Sequence, residues 1–158
     1  MTIETGRRSD AGFTLVEVMV VVVVLAVLVA IGLPMFMGAK VKAEERAAQA
    51  QLRTGLTAGL TYWTDGATFT AFDASCTATP GECDVAEDVE DSVAWVGAGP
   101  PAAHEISILF AAGNNLLLVS RADSGGYFCL AQSTGQTDRG RAPVFDDVDT
   151  LVECAGGW

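Results

Sequence analysis

Residues 18–33 are sixteen consecutive positions without a charged or hydrogen-bonding side chain, VMVVVVVLAVLVAIGL. Extended back to Phe13, the segment holds 21 residues and one charge, Glu17. At about 1.5 Å of rise per residue, such a helix spans roughly 32 Å, enough to cross the hydrocarbon core of a bilayer. The valine run leaves no polar stripe, so this helix suits an environment that is apolar on every side. A carboxylate at its mouth costs about 3 kcal/mol on insertion scales, which marks Glu17 as functional by default.

The placement of the run excludes an ordinary cleaved secretory signal. That class has a shorter apolar region with its small-residue cleavage site after it, whereas here Gly12 precedes the run. A simple membrane anchor holding an outside domain accounts for the length, but gives no role to Glu17 or to the Gly12-Phe13 junction. The polar residues 1–12 carry Arg7 and Arg8 against Glu4 and Asp10. Short flanks biased toward arginine stay on the cytoplasmic side, which predicts the leader inside and the rest of the chain outside.

Gly12-Phe13-Thr14-Leu15-Val16-Glu17, followed by the apolar run, closely resembles the processing site of type IV prepilins and of the pseudopilins of type II secretion. The resemblance is specific over residues 12–37 and general beyond them. It implies that a prepilin peptidase cuts after Gly12 and that the new amino terminus, Phe13, is methylated. It implies too that the helices pack into a filament, with Glu17 of one copy neutralising the Phe13 amine of a neighbour. The partners implied are further copies of the chain, the peptidase, the membrane and the pilus assembly machinery with its separate ATPase. The location implied is the cytoplasmic membrane for the precursor and the cell surface for the filament. Family leaders often place a basic residue directly before the glycine; Ser9-Asp10-Ala11 stands there in this chain.

Three parts are expected: a leader at 1–12, a long helix over 13–65 with its membrane segment at 13–37, and a head over 66–158. Beyond Pro34 the positions Phe36, Ala39, Ala43, Ala47 and Ala50, then Leu52, Leu56, Leu60 and Trp63, recur at helical spacing and predict a ridge that packs on the head. Gly32 and Pro34 predict a kink, because proline lacks the amide hydrogen and clashes with the preceding turn. In the family, the region corresponding to about 26–35 bends and can lose helicity on assembly. Thr64-Asp65-Gly66 reads as the helix stop, with glycine suited to the left-handed cap.

The head reads as a small antiparallel sheet, which makes the fold class α+β and agrees with the family's long helix laid on a few strands. Strands are predicted at 92–96, 105–111, 116–120 and 126–131, broken by Gly113-Asn114-Asn115 and Asp123-Ser124-Gly125-Gly126. Ile106, Ile108 and Phe110 alternate as a face that could cover the helix. Cys76, Cys83, Cys129 and Cys154 all fall in the head, and an even count in a small exported domain reads as a disulfide framework with three alternative pairings. The favoured pairing is Cys76 with Cys83, stapling a loop that turns at Thr79-Pro80-Gly81, and Cys129 with Cys154. The second tie resembles the carboxyl-terminal disulfide loop of many pilins; a loop of that size contributes roughly 3–4 kcal/mol in the chain-entropy model.

The net charge of −11 disfavours nucleic acid as a partner of the head as a whole. Glu82, Asp84, Glu87, Asp88, Glu90 and Asp91 form one acidic stretch, Asp146, Asp147 and Asp149 another. Neither has the spacing of a defensible calcium loop. Arg139 and Arg141 could form a small basic spot near Arg121. No metal site is expected: Cys-x-x-Cys is missing and His104 is the only histidine. Without a phosphate loop, a nucleophile elbow or a His-Glu-x-x-His helix, the chain reads as the substrate of an enzyme, with no cofactor. The leading reading is a structural subunit of a type IV pilus. Its alternatives are a pseudopilin of a secretion or DNA-uptake filament and a tethered binding or adhesion module that never polymerises. The absence of a calcium loop like that of major secretion pseudopilins favours the pilus.

Overall fold

The computed structural model describes residues 12–73, 76 and 83–158. The expected leader features at Arg7 and Arg8, and the turn at Thr79-Pro80-Gly81, lie outside the described residues. Helix α1 runs Leu15–Gly66, and continues through Pro34. Two compact units divide the chain inside this helix, Met1–Ala39 and Lys40–Trp158. In the first, every described residue is exposed; the most apolar window of the helix has a mean hydropathy of 3.1 and none of it is buried.

In the second unit, the remainder of α1 packs on a sheet of five strands in the order β1-β2-β3-β4-β5. These are β1 (Ala94–Val96), β2 (Glu105–Ala112), β3 (Asn115–Arg121), β4 (Tyr127–Ser133) and β5 (Gln136–Ala142). A short helix, α2 (Asp84–Val89), precedes β1. The helix side that meets the sheet is Ala48, Leu52, Gly55, Ala58 and Gly59, all buried. A methyl carbon added at Gly55 would lie 2.8 Å from Ile106 Cδ1, and at Gly59 the nearest atom would be Leu116 Cδ2. Ser120 Oγ donates to the Ala48 carbonyl at 3.1 Å across the same contact.

The opposite face of the sheet is also covered. Leu116, Leu118, Phe128 and Leu130 point into the core that contains Leu52, Phe69, Phe72, Trp95, Ile106 and Ile108. Leu117, Val119, Cys129 and Ala131 point the other way, against Val148, Cys154, Phe145 and Leu151 from the segment after β5. Strands buried on both faces read as continuous apolar runs, which explains Leu116-Leu117-Leu118-Val119. The structure joins Cys76 to Cys83 and Cys129 to Cys154. The second bond ties β4 to the covering segment, with both cysteines fully buried.

The architecture is α+β and type IV pilin-like: a long apolar helix whose later turns pack on a mostly antiparallel sheet. Several local expectations are corrected. Of the expected ridge, Leu52 is buried and Leu56 and Trp63 pack on the core, whereas Phe36, Ala39, Ala43, Ala47, Ala50 and Leu60 are exposed; Ala48, Gly55, Ala58 and Gly59 complete the contact. Strand β1 pairs with β2 in parallel, so the sheet is not wholly antiparallel. Phe110 is 41% exposed and leaves the face of Ile106 and Ile108, because the register with β3 shifts between Ile108 and Phe110. Gly66 is the last helical residue and the left-handed position falls on Ala67, at φ 52°. Strand β5 and helix α2 had no sequence expectation at all.

Beyond β5 the chain returns along its outer edge. Gly156 bridges Gly140 in antiparallel fashion and the Gly157 amide donates to the Arg139 carbonyl at 2.7 Å. Trp158 then lies between two guanidinium groups, Arg53 of α1 at 5.2 Å and Arg139 of β5 at 5.4 Å from its ring centre. Its Nε1 donates to the Cys129 carbonyl at 3.2 Å. Gly140 has no room for a side chain: a methyl carbon there would sit 2.9 Å from Cys129 Sγ and 3.0 Å from the Ala155 backbone. Gly140→Ala should therefore lower stability by about 1–3 kcal/mol in a thermal melt of the full chain. Gly126→Ala, whose new carbon meets only Phe128 at 3.8 Å, should leave the midpoint nearly unchanged.

Candidate functional site at the start of the long helix

Gly12, Phe13 and Thr14 precede the helix in non-helical conformation, and all three are exposed. Among the described residues, no atom beyond its chain neighbours lies within 4 Å of where a side chain on Gly12 would begin. Phe13 is 84% exposed.

Thr14 begins the helix by capping it. The Glu17 amide donates to Thr14 Oγ1 at 3.2 Å, and the Thr14 amide donates back to Glu17 Oε2 at 3.5 Å. The first amides of a helix have no carbonyl four residues earlier to bond, so each needs another acceptor. Threonine at the cap and glutamate three residues later supply two reciprocally, the arrangement of a capping box. The carboxylate also lies at the positive end of the helix dipole. Phe13 and Val18 occupy the positions flanking such a cap that pack together as a hydrophobic staple. Both line one recess with Glu17, Val21 and Val22.

The structure thus brings Gly12, Phe13 and Glu17 into one short segment, with Glu17 tied to Thr14. Sequence reasoning passed over Thr14, although Thr14-Leu15-Val16-Glu17 carries the Thr-x-x-Glu pattern of the cap. Gly32 and Pro34 lie within α1, and Gly32 has open space around it. Pro34 removes one amide from the helical ladder at that point. Past Glu17 the next charged residue is Lys40, whose Nζ lies 3.3 Å from Glu44 Oε1.

The charged groups of the head take other roles. Arg141 Nη2 lies 3.6 Å from Glu45 Oε1 and over the Phe128 ring, and Arg121 lies over Tyr127. With Arg139 on Trp158, the three arginines of the expected basic spot each cover an aromatic face. In the first acidic stretch, the Ser92 hydroxyl and amide donate to Glu90 Oε1 and hold its carboxyl below the usual glutamate range. In the second, desolvation and the neighbouring Glu153 and Asp146 push the Asp149 carboxyl up. Among the described residues, no three His, Cys, Asp or Glu side chains come together as a metal site.

Residues 7–33 match the family model described as the prokaryotic N-terminal methylation motif. Comparison with characterised proteins and with solved structures finds no match. The motif supports a precursor of the type IV pilin or pseudopilin kind, processed by a prepilin peptidase, and the apolar helix suits its anchoring in a membrane. The cap itself is testable in micelles of the full chain. Thr14→Ala should cost the first turn about 1 kcal/mol, so that the amides of residues 15–17 exchange with solvent roughly fivefold faster while those beyond residue 20 are unchanged.

Proposed function

We propose that the chain is a structural subunit of a type IV pilus. It is cut after Gly12, methylated at Phe13, and polymerised outside the membrane through α1. The observation that carries this reading is a lone, capped carboxylate at the mouth of a helix whose apolar surface over residues 15–39 is wholly exposed. A surface of that size needs a partner, and lipid and copies of the same helix both serve.

Cleavage leaves the Phe13 amine as a cation four residues from Glu17. Either charge alone is costly in a low-dielectric bundle, and a matched pair recovers much of that cost. Removing one partner is then far worse than never having had the pair, which makes the pair a device for register. The cap engages Glu17 Oε2, and a carboxylate has a second oxygen with lone pairs to accept a neighbour's amine. Capping and pairing can therefore coexist, with Thr14 aiming the carboxylate that the next copy must find. The segment around Gly32 and Pro34 acts as the bend, since the missing amide weakens the helix there. Two disulfides in the head suit a filament exposed to the surroundings better than a short secretion piston.

Intact mass and amino-terminal sequencing of material sheared from the cell surface test this reading. A chain that starts at methylated Phe13 is expected; a chain that keeps Met1 and is found only in membranes would leave the tethered module. Glu17→Ala should leave membrane insertion intact and lower the sheared yield at least tenfold, as loss of about 1.4 kcal/mol or more per contact would produce. Normal incorporation of that variant would sink the pairing mechanism.

A further inference from the structure

A second concave site lies within the Lys40–Trp158 unit, and its chemistry is independent of filament formation. Leu60 and Trp63 of α1, Phe69, Asn114 of the β2–β3 turn, Gln132 of β4 and Gly135 of the β4–β5 turn enclose a recess of about 410 Å³. That volume lies within the range of small-molecule sites. Among the described residues that line it, none is charged, although the chain as a whole carries −11.

The buried amide of Gln132 decides what the recess can take. Gln132 keeps only 8% of its surface exposed, and its Oε1 accepts a hydrogen bond from Thr137 Oγ1. That bond orients the amide and leaves Nε2 as a donor with no partner among the described residues. No side-chain nitrogen or oxygen among the described residues is both buried and unpartnered, so Nε2 must reach solvent, and the recess is the opening that Gln132 lines. Asn114, exposed on its turn, adds a second amide at the rim. Trp63 is half-buried and packs against the core, so its indole is a fixed aromatic wall beside these amides.

Three ligand classes can be compared on this lining. A charged ligand would lose hydration with no opposite charge to meet it. A purely apolar ligand would seal the Gln132 donors away from water, at the cost of an unsatisfied polar group. A neutral ring with hydroxyl groups at its edge and C–H groups on its face meets both walls, stacking on the indole and accepting from the amides. The geometry points to a binding site for a neutral sugar, a hexopyranose unit held between Trp63 and the amides of Gln132 and Asn114.

The test uses the full chain in micelles of a phosphocholine detergent, which has no sugar head group to compete. Trp63, Trp95 and Trp158 give three indole N–H signals, and Trp63→Phe assigns the first. Methyl glucoside, methyl galactoside and N-acetylglucosamine are titrated separately, with glucuronate as the charged control. A saturable shift of the Trp63 indole and the Gln132 amide with at least one neutral sugar, and none with glucuronate, is expected. Gln132→Leu should weaken that binding by about tenfold, the effect of one lost hydrogen bond. Should Gln132→Leu fail to fold, Asn114→Ala on the exposed turn is expected to weaken binding several-fold without altering the melt. No saturable shift with any of the three sugars overturns the proposal, as does equal binding by a folded Gln132→Leu or by Asn114→Ala. Equal response to glucuronate, or a Trp63 shift that follows protein concentration instead of sugar, overturns it as well, the latter assigning the recess to a second copy.

Discussion

Between Ala48 and Gly59 the long helix lies so close to the sheet that a methyl group at Gly55 or Gly59 would force Ile106 or Leu116 to shift. This close approach leaves Leu52 buried in the same core as Trp95, Ile106 and Leu118. It also sets the height at which Ser120 can reach the Ala48 carbonyl. The glycines weaken the isolated helix by nearly 1 kcal/mol each, and close packing offsets that cost. The head therefore depends on this stretch of α1 as a core element and does not merely carry it.

The two halves of the same helix meet opposite demands. From Val18 to Ala39 its surface carries no charge and every residue is exposed. After Lys40 it is amphipathic, with Lys42, Arg46 and Arg53 on the exposed side and a narrow seam of small residues on the buried one. Apolar burial is non-directional, so an uncharged apolar surface by itself discriminates little between alternative registers. Glu17 is the one charged residue at the start of that surface. The local cap by Thr14 holds that carboxylate at the helix start.

Much of this was legible in the residues. The strands at β2, β3 and β4 follow from apolar runs punctuated by Gly113 and Gly125, both at positive φ. The methylation motif matched over residues 7–33 is carried by Gly12, Phe13 and Glu17 and the apolar run after them. What escaped has identifiable causes. Strand β5, Gln136-Thr137-Asp138-Arg139-Gly140-Arg141-Ala142, is an exposed edge with a single buried position, so no alternation of apolar residues announces it. Its signal was the turn: Thr134 and Gly135 both have positive φ, the geometry of a two-residue hairpin. Helix α2 is less than two turns and follows directly on the disulfide at Cys83, with Ala86 its only fully buried residue. The helix ridge was legible at Leu52, Leu56 and Trp63, whereas Gly55 and Gly59, which carry no apolar signal, complete the contact beside them.

The return of the chain along β5 shortens the free edge of the sheet. An open strand edge presents a row of amides and carbonyls ready to pair with any other strand. At one edge of this sheet stands β1, only three residues long. At the other, the backbone of Gly156 and Gly157 occupies β5 from Arg139 to Gly140, and Trp158 is held by arginines from both helix and strand. Each edge is therefore interrupted: β1 covers β2 over Glu105–Ser107, and the returning backbone covers β5 at Arg139–Gly140. A strand from a neighbouring head meets a broken ladder on either side, which disfavours the sheet-to-sheet growth of amyloid-like aggregates.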